Sequence, residues 1–369
     1  MVLGFIDRIV NNLWSSGSRI LQLSGQVTSV PRSTFKTYSD SPDADDLYHV
    51  ETDDGLEIGI WRYRSTSKDG PSEPVLLVHG LGANHRNLAL DKENGLAQYL
   101  SERGYDCWAV DLRGRGASDS PRTDWTFDDY VEYDLPAVIN FILETTGSKK
   151  LHWVGHSMGG MLYYAITGST DYSSKIATGV TLASPVDFPR PSLVERLASL
   201  LHGLPIAARI RTTGILSRFL VTVLGFLPQT IVNYLYNPRN MDHQTLLKAA
   251  TLASAGTSSQ VLTQFPKWFV ENHWMARDKR TDYRAGVSSI DVPTLVIAGA
   301  VDNLSPHEHI KSGYDDIKTR EKRFVLAGKI SGYDHNYSHI DLVFGKHARD
   351  EIFPLIFDWL YRHPVEKAA

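Results

Sequence analysis

The fold is decided by residues 151–160, which read Leu-His-Trp-Val-Gly-His-Ser-Met-Gly-Gly. A short apolar run leads into a Gly-X-Ser-X-Gly pattern, and a helical stretch follows at 161–166. This order of strand, sharp turn and helix is the context that a nucleophile elbow requires. Side chains two residues before and after the serine would collide, so Gly155 and Gly159 fit the turn. The pattern predicts Ser157 as a nucleophile, with its target facing the N–H groups of the following helix.

Length and composition indicate a globular protein with a sizeable core. The chain has 369 residues, of which 42% are hydrophobic and 22% charged, so one large α/β domain with an insertion or two ordinary domains fit. The net charge of −4 leaves no basic footprint for nucleic acid. Cys107 is the single cysteine, which excludes an internal disulfide, and it is interpreted as a core residue of a buried strand.

Residues 1–46 are predicted to form an N-terminal amphipathic helix followed by a polar linker. The segment lacks the basic start and unbroken apolar middle of a secretory signal, and it lacks about 20 apolar residues for a membrane span. Two placements stay open for the helix: packing on the body of the protein, which we prefer, or lying on a membrane surface. We expect a cytoplasmic protein, with membrane association left open, and the oligomeric state is not fixed by the sequence.

Strands and helices alternate through most of the remaining chain. Two alternating runs, 47–52 and 56–63, predict a hairpin. Apolar runs then predict buried parallel strands, and amphipathic segments between them predict helices, so the sheet should be mostly parallel and flanked by helices. The predicted strands are 75–78, 105–110, the run before Ser157, 177–183, 292–299 and 322–326, and the predicted helices include 96–103, 126–146 and 347–362.

The alternation stops between residues 188 and 289, where apolar helical segments are punctuated by proline. We interpret this segment as a helical lid over the elbow, inserted between a first core part, 47–187, and a second core part, 290–369. The run 219–236 is apolar enough to suggest a membrane span, but Gly225 and Pro228 interrupt it and favour a lid helix. The predicted lid helices are 193–206, 215–227, 229–236, 241–255 and 258–274.

A serine nucleophile needs a base, and the base needs an orienting acid. In the chain order that follows a nucleophile elbow, the acid lies just past a late strand. Asp302 directly follows the apolar run 293–301 and is the predicted acid. Asp187, after the strand that follows the elbow, is the alternative, whereas Asp291 precedes its strand and should lie at the wrong end of the sheet.

The base is expected in the loop between the last strand and the last helix. His339 is preferred, because the apolar residues after it would hold the loop against the core. His335 and His347 belong to the same region, and His335 is surrounded by polar residues. His152 and His156 flank the nucleophile, but the first belongs to the strand and the second cannot easily face the hydroxyl.

An acyl-transfer site also needs two N–H donors for the developing oxyanion. Met158, directly after the nucleophile, supplies one. Leu81, within the loop His-Gly-Leu-Gly at 79–82 after the first buried parallel strand, is the expected second donor. His79 is interpreted as a structural hydrogen-bonding residue.

Together these motifs resemble the α/β-hydrolase superfamily over roughly residues 47–363. The matching stretches are HGLG at 79–82, DLRGRGAS at 111–118 and GHSMGG at 155–160, with Asp302 and His339. Two further stretches, YDLPA at 133–137 and HIDLVFG at 339–345, resemble the acid-lipase and lipase/esterase-like branch that borders polyhydroxyalkanoate synthases. The synthases have cysteine, and dehalogenases and soluble epoxide hydrolases have aspartate, where this chain has Ser157.

The resemblance implies an α/β-hydrolase fold and hydrolysis of carboxylic esters through an acyl-serine. The apolar side chains of the predicted helical lid, 188–289, favour an apolar acyl group, and the alternative is that they only pack the lid against itself. A small-molecule or lipid ester would be the partner, with membrane contact through the N-terminal helix or lid left open, and no cofactor or metal is expected. Two alternatives remain: an acyltransferase or amidase with the same three residues, or a binding protein that only resembles a hydrolase. No substrate-binding residue is predicted.

Overall fold

The computed structural model describes residues 43–67, 70–121, 124–188 and 233–365. Eight strands lie in these ranges: β1 Asp46–Glu51, β2 Glu57–Tyr63, β3 Pro74–Val78, β4 Asp106–Val110, β5 Leu151–His156, β6 Ile176–Leu182, β7 Thr294–Gly299 and β8 Lys322–Ala327. They form one sheet in the order β1-β2-β4-β3-β5-β6-β7-β8. The pairs β1–β2 and β2–β4 are antiparallel, and the other five neighbouring pairs are parallel. The predicted hairpin and mostly parallel sheet are confirmed.

Helices cover both faces of this sheet. In chain order they are α1 Leu96–Ser101, α2 Phe127–Asp129, α3 Leu135–Thr146, α4 Met158–Ser169, α5 His243–Leu252, α6 Ser259–Glu271, α7 Tyr283–Gly286, α8 His307–Asp316, α9 Asp341–Phe344, α10 Ala348–Glu351 and α11 Phe353–Arg362. Within the described ranges, no helix is long and apolar enough to span a bilayer.

Two predicted helices are interrupted at a proline. The segment predicted as one helix over 126–146 contains a π-helical turn, Tyr130–Asp134, in which Leu135 N–H bonds to the carbonyl five residues earlier. Pro136 follows and cannot donate the bond that would continue an α-helical ladder. The segment predicted over 347–362 is divided into α10 and α11, and Pro354 lies in the first turn of α11.

The predicted lid is described in part. Helices α5 and α6 correspond to the predictions over 241–255 and 258–274. The predictions for 1–42, 193–206, 215–227 and most of 229–236 lie outside the described residues. The division into core, lid and N-terminal segment stays a prediction.

The core consists of two apolar layers, one on each face of the sheet. Alternate residues of the central strands point to opposite layers: Trp108 and Trp153 to one, Cys107 and Val154 to the other. Cys107 is fully buried and free, as predicted. Because β3, β4, β5 and β7 are buried along their whole length, the loops at their carboxyl ends project from a rigid base.

Candidate active site

Ser157 lies at the turn between β5 and α4. Its backbone has φ 51° and ψ −117°, a strained conformation for a residue with a side chain. A Cβ atom at Gly155 would lie 2.3 Å from the backbone of Gly159. A Cβ atom at Gly159 would lie 2.1 Å from the carbonyl oxygen of Val78. Glycine is therefore required at both positions, as the sequence predicts, and the turn holds the Ser157 hydroxyl at the carboxyl end of the sheet.

Ser157, His339 and Asp302 form a row of hydrogen bonds. A distance of 2.9 Å joins Nε2 of His339 to Oγ of Ser157, and 2.9 Å joins Nδ1 of His339 to Oδ2 of Asp302. Because a carboxylate only accepts, Nδ1 carries the proton and Nε2 is free to accept the proton of the serine. Oδ1 of Asp302 accepts the N–H groups of Leu304 and Ser305 at 2.9 and 2.8 Å. These bonds fix the carboxylate beneath the imidazole.

The alternative acids lie elsewhere. Asp187 accepts a hydrogen bond from Arg284 Nε at 2.6 Å. Asp291 is paired with Lys318 at 2.9 Å on the surface. Neither carboxylate contacts His339, so of these three candidates Asp302 has the geometry of an orienting acid.

The alternative histidines are also paired with other groups. Nδ1 of His335 lies 2.5 Å from Oε1 of Glu351, and its ring stacks on His347 at 3.5 Å between centroids. His152 is buried in β5, where its two ring nitrogens contact Thr178 and Glu73. None of these imidazoles contacts the Ser157 hydroxyl.

The loop 79–82 lies beside the nucleophile. Gly80 N–H donates to Oδ1 of Asn87 at 3.0 Å, and a Cβ at Gly80 would lie 3.3 Å from the Cβ of Ser157. Leu81 N–H donates to no described residue. Met158 is the first residue of α4, so its N–H has no helical acceptor. Both predicted donors are therefore free to meet a carbonyl oxygen.

His79 has the structural surroundings that the sequence predicts. Its Nε2 accepts Leu112 N–H at 3.3 Å, so Nδ1 donates to the carbonyl of Gly80 at 2.8 Å. Burial, and then the nearby charge of Arg115, lower the pKa of His79 to about 4. The imidazole is therefore neutral at pH 7 and supports the loop without acting as a base.

His156 and Asn87 support the site, a role that the sequence did not predict for either residue. Nδ1 of His156 lies 3.0 Å from Oδ1 of Asn87, and its Nε2 lies 3.2 Å from the carbonyl oxygen of His339. Burial, followed by the charge of His339, lowers the pKa of His156 to about 3. His156 and Asn87 thus join the elbow, the loop 79–82 and the backbone of the histidine loop. No motif marks Asn87 in the sequence.

Asp341 is the second buried group that fixes the histidine loop. Its carboxylate accepts the N–H of Ser338 at 3.0 Å, the N–H of Asn237 at 3.0 Å and Nδ2 of Asn240 at 3.1 Å. Burial raises the pKa of Asp341 to about 6. One carboxylate therefore joins the residue before His339 to the chain that precedes α5. The HIDLVFG stretch contains this residue, but it does not reveal the partners.

The described part of the predicted lid packs on the core through aromatic rings. The ring of Trp268 in α6 lies 5.3 Å from Phe127 and 5.6 Å from Phe188. Beside them, Asp128 accepts hydrogen bonds from side chains of Gln264 and Tyr283 at 2.6 and 2.9 Å. The large side chains on this face of α6 are therefore used for packing.

The sequence and the fold of this chain are similar to those of known hydrolases. A family model described as alpha/beta hydrolase fold matches residues 73–335. Lipase member K of Homo sapiens is 27% identical over 350 residues, which cover 83% of this chain and 85% of that protein. Gastric triacylglycerol lipase of Rattus norvegicus is 37% identical over 151 residues, which cover 37% of this chain and 38% of that protein. A thermophilic esterase from Thermogutta terrifontis has the same fold, with a TM-score of 0.59 at 20% identity over 87% of this chain and 100% of that one.

Proposed function

The chain belongs to the alpha/beta hydrolase fold family, and we propose that it cleaves carboxylic esters with Ser157, His339 and Asp302. The observation that carries this proposal is the pair of 2.9 Å hydrogen bonds that joins these three side chains. A serine, a neutral imidazole and a carboxylate in that order activate a hydroxyl for attack on a carbonyl group. The relatives named as lipases and esterases support an ester as the substrate.

The reaction proceeds in two halves. Oγ of Ser157 attacks the ester carbonyl carbon as its proton moves to Nε2 of His339, and Asp302 stabilises the imidazolium. The N–H groups of Leu81 and Met158 donate hydrogen bonds to the carbonyl oxygen and so stabilise the negative charge that develops on it. The C–O bond to the alcohol breaks as His339 returns the proton to the leaving oxygen. Water, deprotonated by His339, then attacks the acyl-serine, and the acid is released with Ser157 restored.

The acyl part of the substrate is proposed to be apolar. A relative named for triacylglycerol and the apolar composition of the predicted lid, 188–289, support this choice. Each buried methylene of a substrate contributes about 0.8 kcal/mol, so a pocket lined by such residues favours acyl chains longer than acetate. For α6, the packing of Trp268 on Phe127 and Phe188 supports the alternative that large lid side chains serve packing and do not line an acyl pocket.

Labelling with a fluorophosphonate and hydrolysis of p-nitrophenyl butyrate test the nucleophile. Ser157→Ala should lose the label, and kcat should fall by at least about 10³-fold, because the acyl intermediate cannot form. Ser169→Ala is a matched control at the other end of α4, where the buried hydroxyl makes no hydrogen bond to any residue that the structure describes. Hydrolysis retained in Ser157→Ala would refute the assignment. A folded wild type that neither labels nor cleaves any ester would support the binding-protein alternative.

The acyl pocket is tested by kcat/KM for acetyl, butyryl, octanoyl and palmitoyl esters below their aggregation limits. We expect a maximum beyond acetyl, at the length that fills the pocket. A steady fall from acetyl onwards would contradict an apolar acyl pocket while leaving ester hydrolysis intact. A rate that rises only when the substrate forms an interface would indicate a lipase whose lid meets the lipid surface.

A further inference from the structure

The two arginines of the 111–118 motif are buried in different electrostatic surroundings. Arg113 is paired with two carboxylates, Asp54 and Asp134, each at 2.7 Å. Arg115 is 1% exposed and has no carboxylate within 4.0 Å among the residues that the structure describes. Its Nη1 donates to the carbonyl oxygen of Ala255 at 3.0 Å, and its buried Nε and Nη2 have no hydrogen-bond partner among the described residues.

Arg115 is connected to the loop 79–82 through Ala255. The residue that it bonds, Ala255, donates its own N–H to the carbonyl oxygen of Gly82 at 2.9 Å. Its charge also acts on His79, at the start of the same loop. The loop in turn contacts the nucleophile, because Gly80 faces the Cβ of Ser157. The guanidinium is therefore linked, through Ala255, to the loop that contains the predicted donor Leu81.

A buried cation without a counter-charge destabilises a folded protein, so natural chains generally pair such groups. Only interactions that strengthen in the transition state accelerate a reaction, and fixed charges in a dry site act strongly on charge that develops there. Among the described residues no carboxylate forms an ion pair with Arg115, whereas negative charge develops on the substrate carbonyl oxygen during each half of the reaction.

On the basis of the proposed function, we propose that Arg115 is a positioning residue whose fixed positive charge stabilises the acyl oxyanion through the loop 79–82. Its nitrogens are buried, so it acts through the loop and through the field without touching the substrate. Arg115 would therefore influence the transition state and leave binding of the uncharged ester nearly unchanged.

The test compares Arg115→Gln, which keeps an N–H donor for Ala255 but loses the charge, with Arg115→Lys, which keeps both. In Arg115→Gln we expect kcat to fall about 10- to 100-fold with KM within about threefold, less than the 10²- to 10³-fold cost of removing a direct oxyanion donor. Arg115→Lys should recover most of this loss. The affinity of an alkyl trifluoromethyl ketone, which forms an oxyanion on Ser157, should fall by the same factor as kcat/KM.

Arg86→Gln is the matched control. Arg86 is 6% exposed, and within the described part of the chain its side chain also donates to one carbonyl, that of Leu90. Its inhibitor affinity should change less than about twofold. Unchanged inhibitor affinity in Arg115→Gln, or equal losses in the Gln and Lys variants, would overturn the inference. If Arg115→Gln does not fold, the Lys variant alone decides, because retained inhibitor affinity supports a role of the charge and a tenfold loss refutes it. Failure of Ser157 to label in the wild type would instead refute the proposed function.

Discussion

At the scale of single residues, the two carboxylate oxygens of Asp302 accept hydrogen bonds from different groups. One accepts the Nδ1 proton of His339, and the other accepts two backbone N–H groups of its own loop. In Asp302→Asn, the amide group in place of an oxygen favours the wrong imidazole tautomer, with the proton on Nε2. We expect kcat to fall by about 10³- to 10⁴-fold with little change in fold. Steady-state kinetics with a butyryl ester and circular dichroism measure the two effects.

Asp187→Asn is the control for this prediction, since Asp187 also follows a strand of the sheet but pairs with Arg284. Its kcat should stay within about twofold of the wild type. A loss of kcat in Asp187→Asn as large as that in Asp302→Asn would contradict the assignment of the acid.

The sequence could predict the site residues whose roles are marked by the residues next to them in the chain. Ser157 is marked by its glycines, and Asp302 by the apolar run before it. Asn87 and Asp341 act on partners distant in sequence: Asn87 contacts His156, 69 positions away, and Asp341 contacts Asn237, 104 positions away. No local pattern encodes such pairs, so they become visible only when the fold brings the elements together.

At the scale of elements, the turn between β5 and α4 has no room for a side chain at position 155. In Gly155→Ala the new methyl group would meet the backbone of Gly159 at 2.3 Å. Relief of this overlap must move the helix or the strand, so we expect a destabilisation of about 1–3 kcal/mol and a Tm lower by roughly 2–12 °C. Differential scanning calorimetry measures the shift, and ester hydrolysis should be lost with the geometry of the turn.

Gly256→Ala provides the control, because a Cβ at that position would have no heavy atom within 4 Å. Its Tm should change by no more than about 2 °C. Equal Tm values for Gly155→Ala and the wild type would mean that the turn tolerates a side chain.

Element boundaries were less predictable than element order. The apolar spacing that predicts helices over 126–146 and 347–362 continues unchanged through Pro136 and Pro354. The backbone does not continue unchanged, because each proline lacks the N–H of a helical ladder. The structure therefore has a π-helical turn before Pro136 and a separate short helix before Phe353.

At the scale of the whole molecule, Asp341 should link stability to pH. Burial raises its pKa from 3.8 to about 6 in the folded chain. The folded state therefore binds this proton more tightly than the unfolded state, so the stabilisation is complete below about pH 4 and is lost as pH rises through about 6. Asp341→Asn removes the titration. Between these pH values, the free energy of unfolding of the wild type minus that of the variant should fall as pH rises, by at most about 1.4 kcal/mol per pH unit.

Urea unfolding of both proteins at pH 4.5, 5.25 and 6 measures this difference, with the pH values chosen to span roughly the window given by the shifted pKa. The variant should be less stable throughout, because its amide would place a donor against the N–H groups that Asp341 accepts. Parallel profiles for the two proteins would contradict a raised pKa at this position.

The parallel neighbours β6 and β7 have a long connection between them, and its length has an evolutionary consequence. The chain leaves the sheet at Leu182 and returns at Thr294, and residues 179–182 then pair with residues 294–297. The entropy of closing a flexible loop grows only with the logarithm of its length, about 0.6 kcal/mol for each doubling. Additional loop residues in this connection therefore cost little free energy, while Ser157, after β5, and Asp302, after β7, lie outside it. A lineage could diversify the esters that it accepts by changing the length of one segment and keep the same chemical reaction.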